Sequence, residues 1–191
     1  MLNIILFGPP GAGKGTQAIK LSERFELIHI STGDLLRAEV KAETELGKAA
    51  KQLMDKGILV NDEIVTGMID SKINQNLIAK GFIFDGFPRT IIQAESLDTL
   101  LSKYNLSITL TLALAVDEEE LYKRISLRGK VSGRIDDQDR NTFLKRMQVY
   151  NTETTPLKKY YDTKGILTTI NGIGEIEDIF NSLCNKIQKN S

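Results

Sequence analysis

The chain is nearly without cysteine, carries a single histidine, has no net charge and holds no long apolar run. Each shortage closes off a class of function. One cysteine, Cys184, excludes an internal disulfide framework and a cysteine-ligated metal site, and it suits a reducing compartment. Lys plus Arg equals Asp plus Glu at 25 each, so no global field draws the molecule to nucleic acid or an acidic membrane. No apolar stretch approaches the roughly 20 residues that span a bilayer. The N-terminus, MLNIILFG, lacks a basic region ahead of its apolar residues and reads as a first strand, not a signal peptide; the expected location is cytoplasmic. His29 lies on a short strand-like run and reads as a packed or half-exposed side chain with no assigned chemistry. What is present, 41% apolar and 26% charged residues in a chain of 191, is one domain's worth of sequence able to build a proper core.

The most informative stretch is Gly8-Pro9-Pro10-Gly11-Ala12-Gly13-Lys14-Gly15-Thr16. It follows the apolar run Leu2 to Phe7 and opens onto a helical pattern, Gln17 to Phe25. Strand, glycine-rich loop and helix in that order make a phosphate cradle: backbone N–H groups turn toward one anion, and the helix adds its positive end. Lys14 then reaches the β- and γ-phosphates of a nucleotide as a point charge. Gly15 stands where the general motif has Ser or Thr, and the hydroxyl comes one residue later at Thr16. This spelling resembles the nucleoside monophosphate kinases more than GTPases or motor ATPases.

Further apolar runs read as strands at 27–30, 81–85, 108–116 and 166–170, alternating with helical patterns. The predicted fold is α/β: a P-loop three-layer sandwich whose five-stranded parallel sheet is flanked by helices. The stretch 31–60 is longer than a plain crossover needs and reads as a helical, substrate-holding insert. A short lid is expected at 128–137, leaving a core of 1–30, 61–127 and 138–191. The helix after Asn61 or Asp62 carries an apolar stripe, Ile64, Val65, Met68, Ile69, Ile73 and Leu77, and the last helix another, Ile176, Ile179, Phe180, Leu183 and Ile187. A polar helix is expected over Glu118 to Leu127 and another over Thr142 to Tyr150. Asp85, ending a strand beside the phosphate loop, is the expected Mg²⁺ residue, acting directly or through water. Thr90 and Gln93 spell a capping box, which supplies a structural reading of Gln93. Thr32 or Ser31 likewise suits a helix N-cap.

Only eight of the 25 basic residues are arginine. Arg124, Arg128 and Arg134 crowd one segment, Arg146 follows, and Arg37 and Arg89 flank strand-end loops. Arginine offers a planar fork for phosphate oxygens, so this distribution points to phosphate binding.

The segments GPPGAGKGT, STGDLLR at 31–37, FDGFPRTIIQAE at 84–95 and RGKVSGRIDDQ at 128–138, with Arg146, together resemble adenylate kinases through essentially the whole chain. The resemblance implies reversible, Mg²⁺-dependent transfer of a phosphoryl group from ATP to AMP, giving two ADP, by a monomer without structural zinc. It implies ATP contacts from Gly11, Ala12, Gly13, Lys14, Gly15, Thr16, Arg124 and Arg128, with backbone at Gly174 against adenine. On the acceptor side it implies Thr32, Arg37, the Ile58, Leu59 and Val60 backbone, Gly86, Phe87, Pro88, Arg89 and Gln93. Arg134 and Arg146 bridge to the phosphates in transit. Only five residues separate Arg128 from Arg134, as in short-lid forms, and Val131 stands where those usually have threonine. A UMP/CMP kinase of the same fold is the nearest alternative; Thr32 and Gln93 speak against it. A nucleotide-binding switch, from another class, lacks its guanine-reading Asn-Lys-x-Asp: Asn185-Lys186-Ile187-Gln188 ends in glutamine.

Overall fold

The computed structural model describes residues 1–190. Five strands, β1 (Leu2–Phe7), β2 (Ile28–Ser31), β3 (Gly81–Asp85), β4 (Leu110–Ala115) and β5 (Leu167–Asn171), form one sheet in the order β2-β3-β1-β4-β5. Every pairing is parallel. The three central strands, β1, β3 and β4, are apolar nearly throughout because helices cover both faces, as all-parallel sheets require, whereas the edge strands β2 and β5 carry polar residues as well. Alternation then splits each strand between two cores. Ile5, Phe7, Phe82 and Phe84 face one, and Ile4, Leu6, Ile83, Leu110 and Leu112 the other.

The second core is closed by α1 (Lys14–Phe25), α6 (Glu118–Ser132) and α9 (Ile176–Gln188), through residues such as Leu21, Ile125 and Leu183. The first takes α4 (Asp62–Asn74), α5 (Ile91–Lys103) and α8 (Leu157–Thr163), with the small pair α2 (Thr32–Lys41) and α3 (Glu45–Met54). Each fully buried aliphatic side chain contributes about 1.5–3 kcal/mol, so the triplets Val65, Ile69, Ile73 and Ile179, Leu183, Ile187 are enough to fix their helices. The predicted stripes are wider than the observed ones. Ile64 and Leu77 are 38% and 46% exposed, and Ile176 is 52% exposed. Leu77 lies beyond the end of α4, and Ile176 is the first residue of α9, so neither is carried against the sheet.

Two further differences bear on the site. The polar helix expected to stop at Leu127 continues to Ser132, through Arg128 and Gly129. Gly129 does not break it. A Cβ there would stand 2.8 Å from the Asp137 carbonyl, so the glycine lets the short 3₁₀ turn Ile135–Asp137 lie directly on α6. The helix expected over Thr142 to Tyr150 is α7 (Arg140–Val149), which widens into a π turn at Tyr150–Thr154 before α8.

Candidate active site

β1 lies between β3 and β4, so the chain leaves the sheet in opposite directions on its two sides. At such a switch point a crevice opens beyond the strands' carboxyl ends. The glycine-rich loop fills that position. Helix α1 begins there without a side-chain cap or an acidic residue in its first turn, whereas α2, α4 and α6 have both. Its free N–H groups and positive end are thus left for an anion. Lys14 arches back over the loop, donating from Nζ to the Gly8 carbonyl at 2.7 Å and the Pro9 carbonyl at 3.0 Å.

The main cleft, about 1090 Å³, runs from this loop to Asp85, Arg128, Arg134 and Arg146. A second cleft of about 620 Å³ is lined by Thr32, Leu36, the 57–60 segment, Val65 and Gln93. Gly33, Arg37, Gly86, Arg89 and Arg146 line both. Arginines thus occupy the junction of the two clefts.

Arg89 is fixed there from three sides. Its Nε donates to the Gly86 carbonyl at 2.7 Å, and its backbone N–H donates to Gln93 Oε1 at 2.7 Å. Its carbonyl accepts from Thr154 Oγ1 at 2.8 Å, a bond delivered by the π turn. Burial, then Arg146, lower its pKa to about 10, with Asp85 pulling the other way. Thr32 Oγ1 donates to the same Gly86 carbonyl at 2.9 Å. At Gly86, φ is +78° and a Cβ would meet Thr32 Oγ1 and Arg89 Nη2 at 3.0 Å each, so only glycine fits this corner.

Asp85 is buried at the end of β3, and its ion-pair partner among the described residues is His29, Nε2 to Oδ2 at 3.5 Å. His29 Nε2 is buried and makes no hydrogen bond. A carboxylate so lightly engaged keeps lone pairs for the water shell of a hard cation. Among the described residues no three His, Cys, Asp or Glu side chains converge to hold a metal. Mg²⁺, which rarely needs an all-protein cage, fits this single carboxylate beside a phosphate loop.

Not every expected residue lies in the clefts. Arg124 sits behind the loop, its Nε paired with Glu120 at 2.7 Å and its Nη1 donating to the Gly172 carbonyl at 3.0 Å. Gly174 is exposed on the turn after β5, and Ala12 is packed in the core under the loop. Phe87 and Pro88 line a smaller cavity with Gly86 and Arg89.

The family model for adenylate kinase matches residues 6–166. The chain belongs to the adenylate kinase family. It is 51% identical over 179 residues to the adenylate kinase of Flavobacterium psychrophilum, covering 94% of each chain. It is 50% identical over 187 residues to that of Bacteroides fragilis, covering 98% of each. The adenylate kinase of Thermodesulfovibrio yellowstonii is 44% identical over 214 aligned positions, covering 98% of this chain and all of that one.

Against that family background, three acidic residues organise the arginines. Asp34 Oδ1 stands 2.5 Å from Arg37 Nη2 and 3.7 Å from Arg134 Nη2. Asp137 is fully buried and takes Arg128 in a two-pronged pair at 2.6 and 2.8 Å, and Arg146 Nη1 at 2.8 Å. Asp136 adds an ion pair to Arg146 at 2.8 Å. Burial pushes Asp137 upward, but the Arg128 and Arg146 contacts outweigh it and hold the carboxyl below its ordinary 3.8. The unfolded chain therefore takes up this proton first. The stabilisation is fully present above pH 3.8 and is lost as pH falls through the folded-state value. Asp137→Asn should cost about 2–3 kcal/mol at pH 7, less than a fully buried pair because solvent reaches Arg128. Urea unfolding at stepped pH checks this: the gap to wild type should close toward pH 3. A gap that stays constant with pH would assign the loss to packing.

Proposed function

We propose that this chain catalyses Mg·ATP + AMP ⇌ 2 ADP. The observation that carries the reading is the pair of clefts meeting at Arg37, Arg89 and Arg146: one cavity for each nucleotide, with the cations at their junction. In this reading Gly11 to Thr16 hold the ATP phosphates, and Arg124 and Arg128 lie against ATP. The Gly174 backbone meets adenine. Thr32, Arg37, the Ile58 to Val60 backbone, Gly86 to Arg89 and Gln93 hold AMP, and Arg134 and Arg146 span both sets of phosphates.

The attacking oxygen belongs to a phosphate already ionised at neutral pH, so no general base is required. The demand is to align two polyanions that repel each other and to neutralise charge as the phosphoryl group passes. Lys14 and the junction arginines meet it from fixed positions. Asp85, through water, and Thr16 would hold Mg²⁺, which when bound neutralises phosphate oxygens. Water must be kept out or ATP is merely hydrolysed, and the segments 31–60 and 128–137 are the parts we assign to closing over the clefts. That the chain acts as a cytoplasmic monomer belongs to the same reading; among the described residues no helix is long and apolar enough to cross a membrane.

The direct test is nucleoside diphosphate formation from Mg·ATP with AMP, CMP, UMP and dTMP at matched concentration. Strong preference for AMP is the expected result. Preference for CMP or UMP would make the chain a pyrimidine kinase on the same scaffold, and ATP binding without transfer would leave only a nucleotide-binding module.

A further inference from the structure

Gln93 is almost fully buried where the second cleft ends, yet both ends of its carboxamide are already engaged. Oε1 accepts the Arg89 backbone N–H at 2.7 Å, and Nε2 donates to Asp62 Oδ1 at 2.6 Å. These partners are not interchangeable. A backbone N–H is only a donor and a carboxylate is only an acceptor, so turning the amide over would set donor against donor and acceptor against acceptor. Asp62 is held in place by its position as the first residue of α4, whose Asn61 cap bonds the N–H groups of Glu63 and Ile64. After both bonds are made, the amide retains one N–H and one oxygen lone pair. That pattern suits a base presenting an amino donor beside a ring acceptor, as adenine does, and opposes one presenting an oxo group.

We propose that Asp62 is a positioning residue for acceptor choice: it locks the Gln93 amide in the orientation that receives amino bases and turns away oxo bases. The inference rests on the reading of the second cleft as the AMP site. The lock sets polarity, not size. Cytosine has the same donor–acceptor order as adenine, so the lock separates AMP from IMP, GMP and UMP and does not act between AMP and CMP. A buried amide facing the wrong edge leaves polar groups unpaired, which is where large discrimination between similar ligands arises.

The test compares kcat/KM for AMP and for inosine monophosphate, which differs at the amino position by an oxo group, in wild type, Asp62→Asn and Asp62→Glu. An asparagine can either donate or accept, so one of the two restraints on the flip is removed. The AMP-over-IMP preference should then fall by about tenfold or more, through the acceptor KM. Asp62→Glu, still only an acceptor, should keep most of the preference. Asp62→Ala gives the same reading if the asparagine variant fails to fold, because only the Arg89 N–H then restrains the amide. Parallel losses for both nucleotides, with the preference unchanged, overturn the inference and leave AMP kinase activity standing. A wild-type chain without AMP turnover removes the parent reading and the inference with it.

Discussion

Lys14→Met is expected to lower kcat/KM for phosphoryl transfer by about a hundred- to a thousandfold, the range for removing a fixed charge-stabilising donor. The methionine keeps the length and volume of the side chain, and only the Gly8 and Pro9 carbonyls lose a partner. The melting temperature should therefore hold within about 3 °C. Burial brings Lys14 down to about 8, partly opposed by Asp85 and assisted by Arg89, Arg146 and Arg128. The folded chain sheds this proton before the unfolded chain does, so its contribution to stability rises with pH between about 8 and 10.5, the same sense as for Asp137 but in a higher pH window. A polyanion favours the charged amine, and binding above pH 8 must take up a proton. ATP affinity should weaken by about tenfold per pH unit there in wild type and stay flat in Lys14→Met. Calorimetric titration at pH 7 to 9 reads both effects, and equal slopes in the two proteins would sink the role given to Lys14.

Arg89→Ala should be the more severe lesion, about a thousandfold or greater in kcat/KM, as for arginines that neutralise a transferring phosphoryl group. Arg89 reaches the junction of the two clefts, and the side chain is held by the Gly86 carbonyl before any ligand arrives. No neighbouring cation replaces it, because Arg37 and Arg146 are tied to Asp34 and to Asp136 and Asp137. Stability should respond in the opposite direction. Burial and the repulsion of Arg146 disfavour its charge in the folded chain, so its removal should leave the melting temperature unchanged or raise it. Wild type should gain thermal stability on adding AMP, by about 2.7 kcal/mol at a hundredfold excess over Kd. The variant should gain almost none. Retained AMP stabilisation in Arg89→Ala would falsify the assignment of Arg89 to the acceptor phosphate.

The strand, glycine-rich loop and helix at the start of the chain were legible in the sequence because their signature is local: strand, glycines, lysine and helix occur within a single continuous stretch. The parallel sheet was legible because nearly unbroken apolar strands alternate with amphipathic helices. The bonds that join Gln93 to Asp62 and to the Arg89 backbone were not. Thr90 Oγ1 does accept the Gln93 backbone N–H at 3.1 Å, as a capping box requires, but the glutamine oxygen reaches the Arg89 N–H one residue before the cap. Its other partner, Asp62, comes from a helix 31 residues away, and no local pattern announces a pairing of that kind. The extension of the Glu118 helix past Leu127 was not legible either: glycine has low helix propensity, but at Gly129 the helix packs directly on the 135–137 turn. The π turn at Tyr150–Thr154 has no periodic signature, so Thr154's bond to Arg89 could only come from coordinates.

The single histidine gives the molecule a reporter that needs no labelling. His29 is the only imidazole in the chain, and it lies 3.5 Å from the carboxylate at the base of the main cleft. One pair of aromatic carbon-bound proton resonances in a one-dimensional NMR spectrum therefore watches Asp85 without overlap from another histidine. The chain also has no tryptophan, so a tryptophan introduced in the 128–137 segment would fluoresce without background from another indole. Occupancy of the cleft floor and movement of its rim become separately visible in one sample, in real time, during turnover.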